Sequence, residues 1–265
     1  MRILLNSIKS TSLYRLFKNF EQDTRKKIKA ASLKRKLNKA PPVLIYQMGK
    51  VASSSIHHSL KKQYSGAVAH AHHIGSSNWA SQLFYEWFNR GQTIKIISPV
   101  RDPIGYNISA FFHNFEIITG TPYSQNKLTT DESIQLFLDK VDHDIPLNWF
   151  DINIKKYFNV DIYSDTSLDG DAKEYHHNNV SILVFRIDID DIKKEKAIQD
   201  FLDLPNFKLH NRNISSEKIY NKSYSEFKNR LKLPSTYLKK MEESKFFNHF
   251  YSKQEIAKIL SKWSD

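Results

Sequence analysis

The chain contains no cysteine. That absence removes disulfide frameworks, thiolate zinc sites, iron–sulfur clusters and cysteine nucleophiles, and it suits a reducing compartment. Glycine and proline are sparse, at 7 and 8 of 265 residues, so collagen-like and low-complexity architectures are excluded. No apolar run approaches the length that spans a bilayer, and residues 3–5 are too short for the core of a secretion signal. The expectation is a protein that stays in the cytoplasm. What the sequence does have is 40% hydrophobic and 13% aromatic residues, enough to build the core of a sizeable folded domain.

The formal net charge of +12 suggests a polyanion partner until it is divided along the chain. Twelve of the 40 basic residues fall in residues 1–42 against Glu21 and Asp23, so ten of the twelve net charges sit there and two remain for residues 43–265. The main domain is nearly neutral, and nucleic-acid binding is not expected of it. Any anion site must be local. Within the arm, Leu5, Ile8, Leu13, Leu16, Phe17 and Phe20 recur at helical spacing among cations. This reads first as a helix packed on its own domain or a partner, and second as a helix lying peripherally on an anionic membrane surface.

Pro41-Pro42 closes the arm, which gives two parts, 1–42 and 43–265. Strands fit residues 43–46, 67–72, 93–100, 160–163 and 182–187. Between them, helices fit residues 56–64, 78–90 with Ser77 as cap, 132–141 and 147–158, and Pro103 opens one whose apolar side carries Ile104, Ile108, Phe111, Phe112 and Phe115. Residues 119–130 read as an exposed loop. Asp188, Asp190 and Asp191 read as the acidic cap of another helix, and the tail from Ser215 as helical in three pieces. Alternation of strands and helices predicts an α/β domain: a mainly parallel sheet of four or five strands in a three-layer, P-loop-like arrangement with a helical C-terminal tail.

Two elements carry chemistry. The first is Gly49, Lys50, Val51, Ala52, Ser53, Ser54 and Ser55, running from a strand into a helix. Such a turn aims backbone N–H groups, a helix dipole and one lysine at a phosphate. It departs from a Walker A loop because the first glycine is missing and Val-Ala follows the lysine where Ser/Thr is required. The second is Arg101-Asp102-Pro103 with Ser109 further along the helix. Arginine at the carboxyl end of a buried strand sits where open α/β sheets bind ligands, and its planar fork suits phosphate. Read singly, the serines can be helix caps, Lys50 a solvated charge, and Arg101 a partner of Asp102.

Together the two elements resemble the nucleotide site of sulfotransferases that use 3′-phosphoadenosine 5′-phosphosulfate (PAPS). Lys50–Ser55 is similar to the family's 5′-phosphosulfate loop, in the Lys-Val-(small) form of carbohydrate sulfotransferases. Arg101-Asp102-Pro103 with Ser109 is similar to its 3′-phosphate motif, with Tyr106 standing where the family has a further arginine. The tail, through Asn213, Lys218, Tyr220, Tyr224 and His249-Phe250-Tyr251-Ser252, resembles a bacterial group of capsular polysaccharide synthesis proteins. The resemblance implies PAPS as donor, no metal, and a glycan or small hydroxyl compound as acceptor. It implies that Gly49–Ser55 binds the donor, with Lys50 as electrostatic catalyst. Arg101 and Ser109 would anchor the 3′ phosphate, and Arg212 and Lys218 would close over it.

Such a transfer needs a base for the acceptor hydroxyl, and neutral imidazole suits this near neutral pH. Among the 11 histidines, His70 and His72 end the second expected strand at the edge that carries Lys50, and their spacing puts them on one face. His72, nearer the loops, is the favoured base, with His70 orienting the acceptor. A rate falling below a pH of about 6.5 is expected. His57 and His58 fall in the first helix and His176 and His177 in a polar loop, which implies surface roles. A metal site on His70, His72 and His73 lacks a carboxylate. Two other classes remain open from sequence: a nucleotide or sugar kinase, and a non-catalytic anion-binding module in polysaccharide assembly.

Overall fold

The computed structural model describes residues 12–75, 78–164, 171–210 and 221–264. Helix α1 (Ser12–Leu37) ends in Lys34, Arg35 and Lys36, which complement the negative end of its dipole. Its last turn docks through the buried Leu37, with Leu33 packed against the core. None of the described helices is long and apolar enough to cross a membrane.

The sheet has the order β2-β1-β3-β5-β4. Its strands are β1 (Val43–Tyr46), β2 (Val68–Ala71), β3 (Ile94–Val100), β4 (Ala172–His177) and β5 (Val180–Arg186). All pairings are parallel except β4 with β5, where β4 forms an antiparallel edge. The connecting helices are α2 (Ser53–Gln63), α3 (Trp79–Asn89), α4 (Pro103–His113) and α5 (Phe115–Thr119), then α6 (Thr130–Lys140) and α7 (Ile145–Phe150). Helix α7 runs through a π-helical turn, Asp151–Lys155, into Lys156–Phe158. After the sheet come α8 (Asp191–Leu202) and the tail helices α9 (Asn221–Arg230), α10 (Ser235–Glu242), α11 (Lys245–Phe250) and α12 (Lys253–Leu260).

Strand alternation sorts the core into two layers. Val43 and Ile45 of β1, Ile97 of β3 and Leu183 and Phe185 of β5 face Ile56 and Leu60 of α2 and Ile198 and Phe201 of α8. Leu44, Tyr46, Ile96, Val100, Ile182 and Val184 face the larger cluster, which holds α4, α7 and the tail. The expected α/β three-layer arrangement is what folds. An ion-pair clamp fixes the tail: Arg186, at the end of β5, bonds Asp188 at 2.8 Å and Glu255 of α12 at 2.7 Å and stacks on the Tyr251 ring.

Some local expectations are corrected. Residues 160–163 form a turn, because the Asp161 side chain accepts the Tyr163 N–H at 3.0 Å and competes with any ladder. His176 and His177 lie in strand β4, reached by a two-residue turn at Asn178, whose φ of 49° asparagine tolerates. Helix α3 is capped by Asn78, which accepts the Ser81 N–H, while Ser77 lies outside the described residues. The tail breaks once more than expected, where Ser244 caps α11. Asp190 occupies the N-cap of α8 without a side-chain bond; Asp188 instead holds Arg186, and Asp191 pairs with Lys194.

Candidate active site

Strands β2 and β3 lie on opposite sides of β1, with α2 on one face of the sheet and α4 on the other. The carboxyl ends of β1 and β3 therefore form a topological switch point, the place where open α/β sheets take ligands. Both expected motifs lie there. The segment after β1 turns sharply: Gly49 has φ 97°, and two non-glycine residues, Lys50 at 56° and Ala52 at 53°, hold left-handed backbone. Each such residue costs about 1–2 kcal/mol. Strain of this kind persists only when the surroundings enforce it, and it concentrates where backbone N–H groups must be aimed.

Ala52 occupies the N-cap of α2 and offers no side-chain oxygen, and the first turn carries no acidic residue. The Ser53 and Ser54 amides at this helix start suit an anion, while the Ser55 N–H bonds the Ala52 carbonyl at 3.2 Å and the buried Ser53 hydroxyl is engaged with Gln47 and His70. Arg101, at the end of β3, reaches across: its Nη1 donates to the Lys50 carbonyl at 3.4 Å. Its contact with Asp102 is looser, 3.8 Å, because Asp102 caps α4 by accepting the Gly105 N–H at 2.5 Å. A Cβ on Gly105 would lie 2.4 Å from Asp102 Oδ2 and 3.0 Å from Arg101 Nε, so glycine lets both side chains fold over the helix start. Tyr106, standing at the place of an expected arginine, is buried and donates to the Met48 carbonyl at 3.1 Å. It ties α4 to the loop, and burial pushes its hydroxyl up to about 12.

Gln47 organises the floor. It is fully buried, and its Oε1 accepts the Gly49 N–H. Its Nε2 lies 2.8 Å from Ser53 Oγ, 2.9 Å from His70 Nε2 and 3.0 Å from His72 Nδ1. Ser53 Oγ is itself 2.9 Å from His70 Nε2, and His70 stacks on His57 with centroids 5.4 Å apart. His70 therefore faces α2, the same side as Val68 on its strand. His72 lies just past β2, at the exposed rim, with Nδ1 at 3.1 Å from the Gln47 carbonyl. Nδ1 thus faces two groups of opposite demand, the Gln47 carbonyl, which only accepts, and the Gln47 side-chain NH2, which only donates; with the proton on Nδ1 it meets the carbonyl and leaves the lone pair on Nε2.

Burial, followed by repulsion from His72 and His57, lowers His70 to about 4. His72 is lowered too, by burial first and then by His73 and Lys50, against an opposing contribution from its bond to the Gln47 carbonyl. Both rings are neutral near pH 7. The expected acidic limb at about 6.5 moves lower for either histidine as base.

The structure thus brings Gly49–Ser55, Arg101, His70 and His72 together at the carboxyl ends of β1, β2 and β3. Ser109 sits half-buried on α4, two turns beyond its start. Arg212 and Lys218 lie outside the described residues. Trp149 and Phe150 are core, and Trp149 also donates to the His72 carbonyl at 3.4 Å. Tyr46 donates to Asn153 Oδ1 at 2.7 Å, so the π-helical turn of α7 is anchored beneath the same loop. Among the described residues no group of three or more His, Asp or Glu is placed to hold a metal ion. Sequence reasoning missed Gln47, Tyr106 as a strap, and the Arg186 clamp.

Residues 126–252 match a family model described as "Putative capsular polysaccharide synthesis protein". The match links the chain to polysaccharide synthesis, and it begins downstream of both the Lys50 loop and Arg101. No curated protein and no solved structure matches the chain.

Proposed function

We propose that this protein transfers a sulfuryl group from PAPS to a hydroxyl of a glycan. The observation that supports this most is the meeting of two cationic elements at the ends of β1 and β3, with Arg101 Nη1 3.4 Å from the Lys50 carbonyl beside a helix start that lacks a side-chain cap. A donor with phosphate groups on both the 5′ and 3′ sides of one nucleoside calls for two such elements side by side. The left-handed loop and the acid-free first turn of α2 fit the phosphosulfate end, and the Arg101 fork fits the 3′ phosphate. The polysaccharide link of residues 126–252 supports a glycan as acceptor.

In this reading the first amides of α2 and the Ser54 hydroxyl hold the donor's sulfonated end. Lys50 neutralises negative charge that grows on the bridging oxygen as the S–O bond breaks, an interaction stronger in the transition state than before it. His72 Nε2 takes the proton of the acceptor hydroxyl as that oxygen bonds to sulfur. His70, engaged with Ser53 and Gln47, positions the loop rather than the acceptor. Arg101 and Ser109 anchor the donor. Calorimetry tests the reading: adenosine 3′,5′-bisphosphate should bind and ATP should bind far more weakly, with Lys50→Ala lowering turnover strongly and Arg101→Ala weakening binding. Tighter ATP binding would replace the reading with a kinase.

A further inference from the structure

A concavity lies away from the switch point, between the segment that follows α5 and the tail helix α9. It encloses about 390 Å³. Phe112 and Phe227, both buried, close its base edge to face with centroids 5.2 Å apart, and the half-buried Tyr123, packed on Phe112 at 5.9 Å, is the aromatic ring that presents surface to it. Its walls are polar and braced. Thr130 Oγ1 donates to Glu226 at 2.7 Å, and Arg230 holds Asp131 at 2.6 Å, so α6 and α9 are fixed relative to each other without a ligand. Asn126 Oδ1 accepts the Leu128 N–H, which leaves its NH2 group as a donor, and Ser223 presents an exposed hydroxyl at the opposite wall.

One accessible aromatic ring, Tyr123, edged by the Asn126 amide and the Ser223 hydroxyl, is a lining that suits a sugar ring, whose C–H faces are apolar and whose edges carry hydroxyls. A phosphate or nucleotide is disfavoured, because Arg230, the one guanidinium among the described residues lining the groove, is taken by Asp131 and a carboxylate stands beside it. Helix α4 spans the separation between the two sites: Pro103 starts beside Arg101, and Phe112 is nine residues on, about 14 Å at 1.5 Å per residue. One sugar cannot bridge that distance, whereas a polymer can. We infer that this groove is a saccharide subsite that grips a polysaccharide acceptor several sugars away from its reacting hydroxyl. The inference rests on the glycan reading above, but its binding test does not use turnover.

The probe is an array of bacterial capsular and lipopolysaccharide oligosaccharides, followed by titration of the strongest binder into the full chain. The parent should bind, Ser223→Trp, which fills the groove from an exposed position, should weaken binding at least about tenfold, and Asn126→Ala about fivefold. Adenosine 3′,5′-bisphosphate affinity should be unchanged in both. With the donor present, Ser223→Trp should raise KM for the long oligosaccharide and leave kcat/KM for a monosaccharide as it was. Absence of array binding by the parent, or parental binding by Ser223→Trp, would overturn the groove and leave the donor site standing. Oligosaccharide binding without any bisphosphate binding would sink the proposed function and keep the groove.

Discussion

Replacing Gln47 with glutamate puts a carboxylate oxygen where the amide nitrogen now lies, 2.9 Å from His70 Nε2 and 3.0 Å from His72 Nδ1. Gln47→Glu keeps the length of the side chain and the acceptor for the Gly49 N–H. Opposite unit charges about 4 Å apart attract by about 4 kcal/mol at an effective dielectric of 20, equivalent to about three pKa units. Burying the new carboxylate opposes its ionisation and takes back part of this, so a net rise of about two units is expected for the histidines. The sign follows from the role: a base works with its lone pair free, so a raised pKa moves the acidic limb of kcat/KM to higher pH. The variant should lose rate relative to the parent on the acidic side of the shifted limb and recover it as pH rises. Histidine Cε1–H resonances followed by NMR report the same shift without turnover. If the imidazoles move and the acidic limb does not, His72 is not the base; if neither moves, Gln47 does not hold them.

Three further outcomes follow from the same contacts. Tyr106→Phe leaves the Met48 carbonyl without its donor, which should lower unfolding free energy by about 1–2 kcal/mol and weaken bisphosphate binding a few-fold, read by denaturant titration and calorimetry. Gly105→Ala gains about 1 kcal/mol of helix propensity and loses about as much by disturbing the Asp102 cap, so Tm should hardly change. Displacement of the Arg101 fork should nevertheless weaken bisphosphate binding about tenfold, and unchanged affinity would place Arg101 outside the site. Hydrogen bonding to Arg186 holds Glu255 at about 2, so its stabilising contribution is full above about pH 4.5 and is lost as pH falls toward 2. Glu255→Gln should flatten that part of the stability curve, and an undiminished acid slope would refute the clamp.

The strands that carry the site were legible because a buried parallel strand is a continuous apolar run bounded by turn residues. Val43–Tyr46 has that form throughout, and Ile94–Val100 and Val180–Arg186 keep it with Lys95, Ser98, Ser181 and Arg186 as the polar interruptions. Strand β4 was not, since AKEYHH buries Tyr175 alone and looks like loop until β5 pairs with it. The Asn178-Asn179 turn was the one local signal for it. The two basic motifs could be read from residue type and spacing. Gln47 could not, although it adjoins the motif: its importance lies in β1 and β2 pairing in register, Ile45 opposite His70 and Tyr46 opposite Ala71, which no local pattern encodes. The half-buried placement of His70 against α2 likewise depends on which face of β2 that helix covers.

The central claim is that the site between the Lys50 loop and Arg101 takes a nucleotide phosphorylated on both its 3′ and 5′ sides. Calorimetric titration of the full chain with adenosine 3′,5′-bisphosphate tests it most directly, repeated with the 5′-monophosphate. The account predicts saturable binding of the bisphosphate, at least about tenfold weaker binding of the monophosphate, and loss of that difference in Arg101→Ala. Equal affinity for the two nucleotides in the parent, or no binding of either, would contradict it.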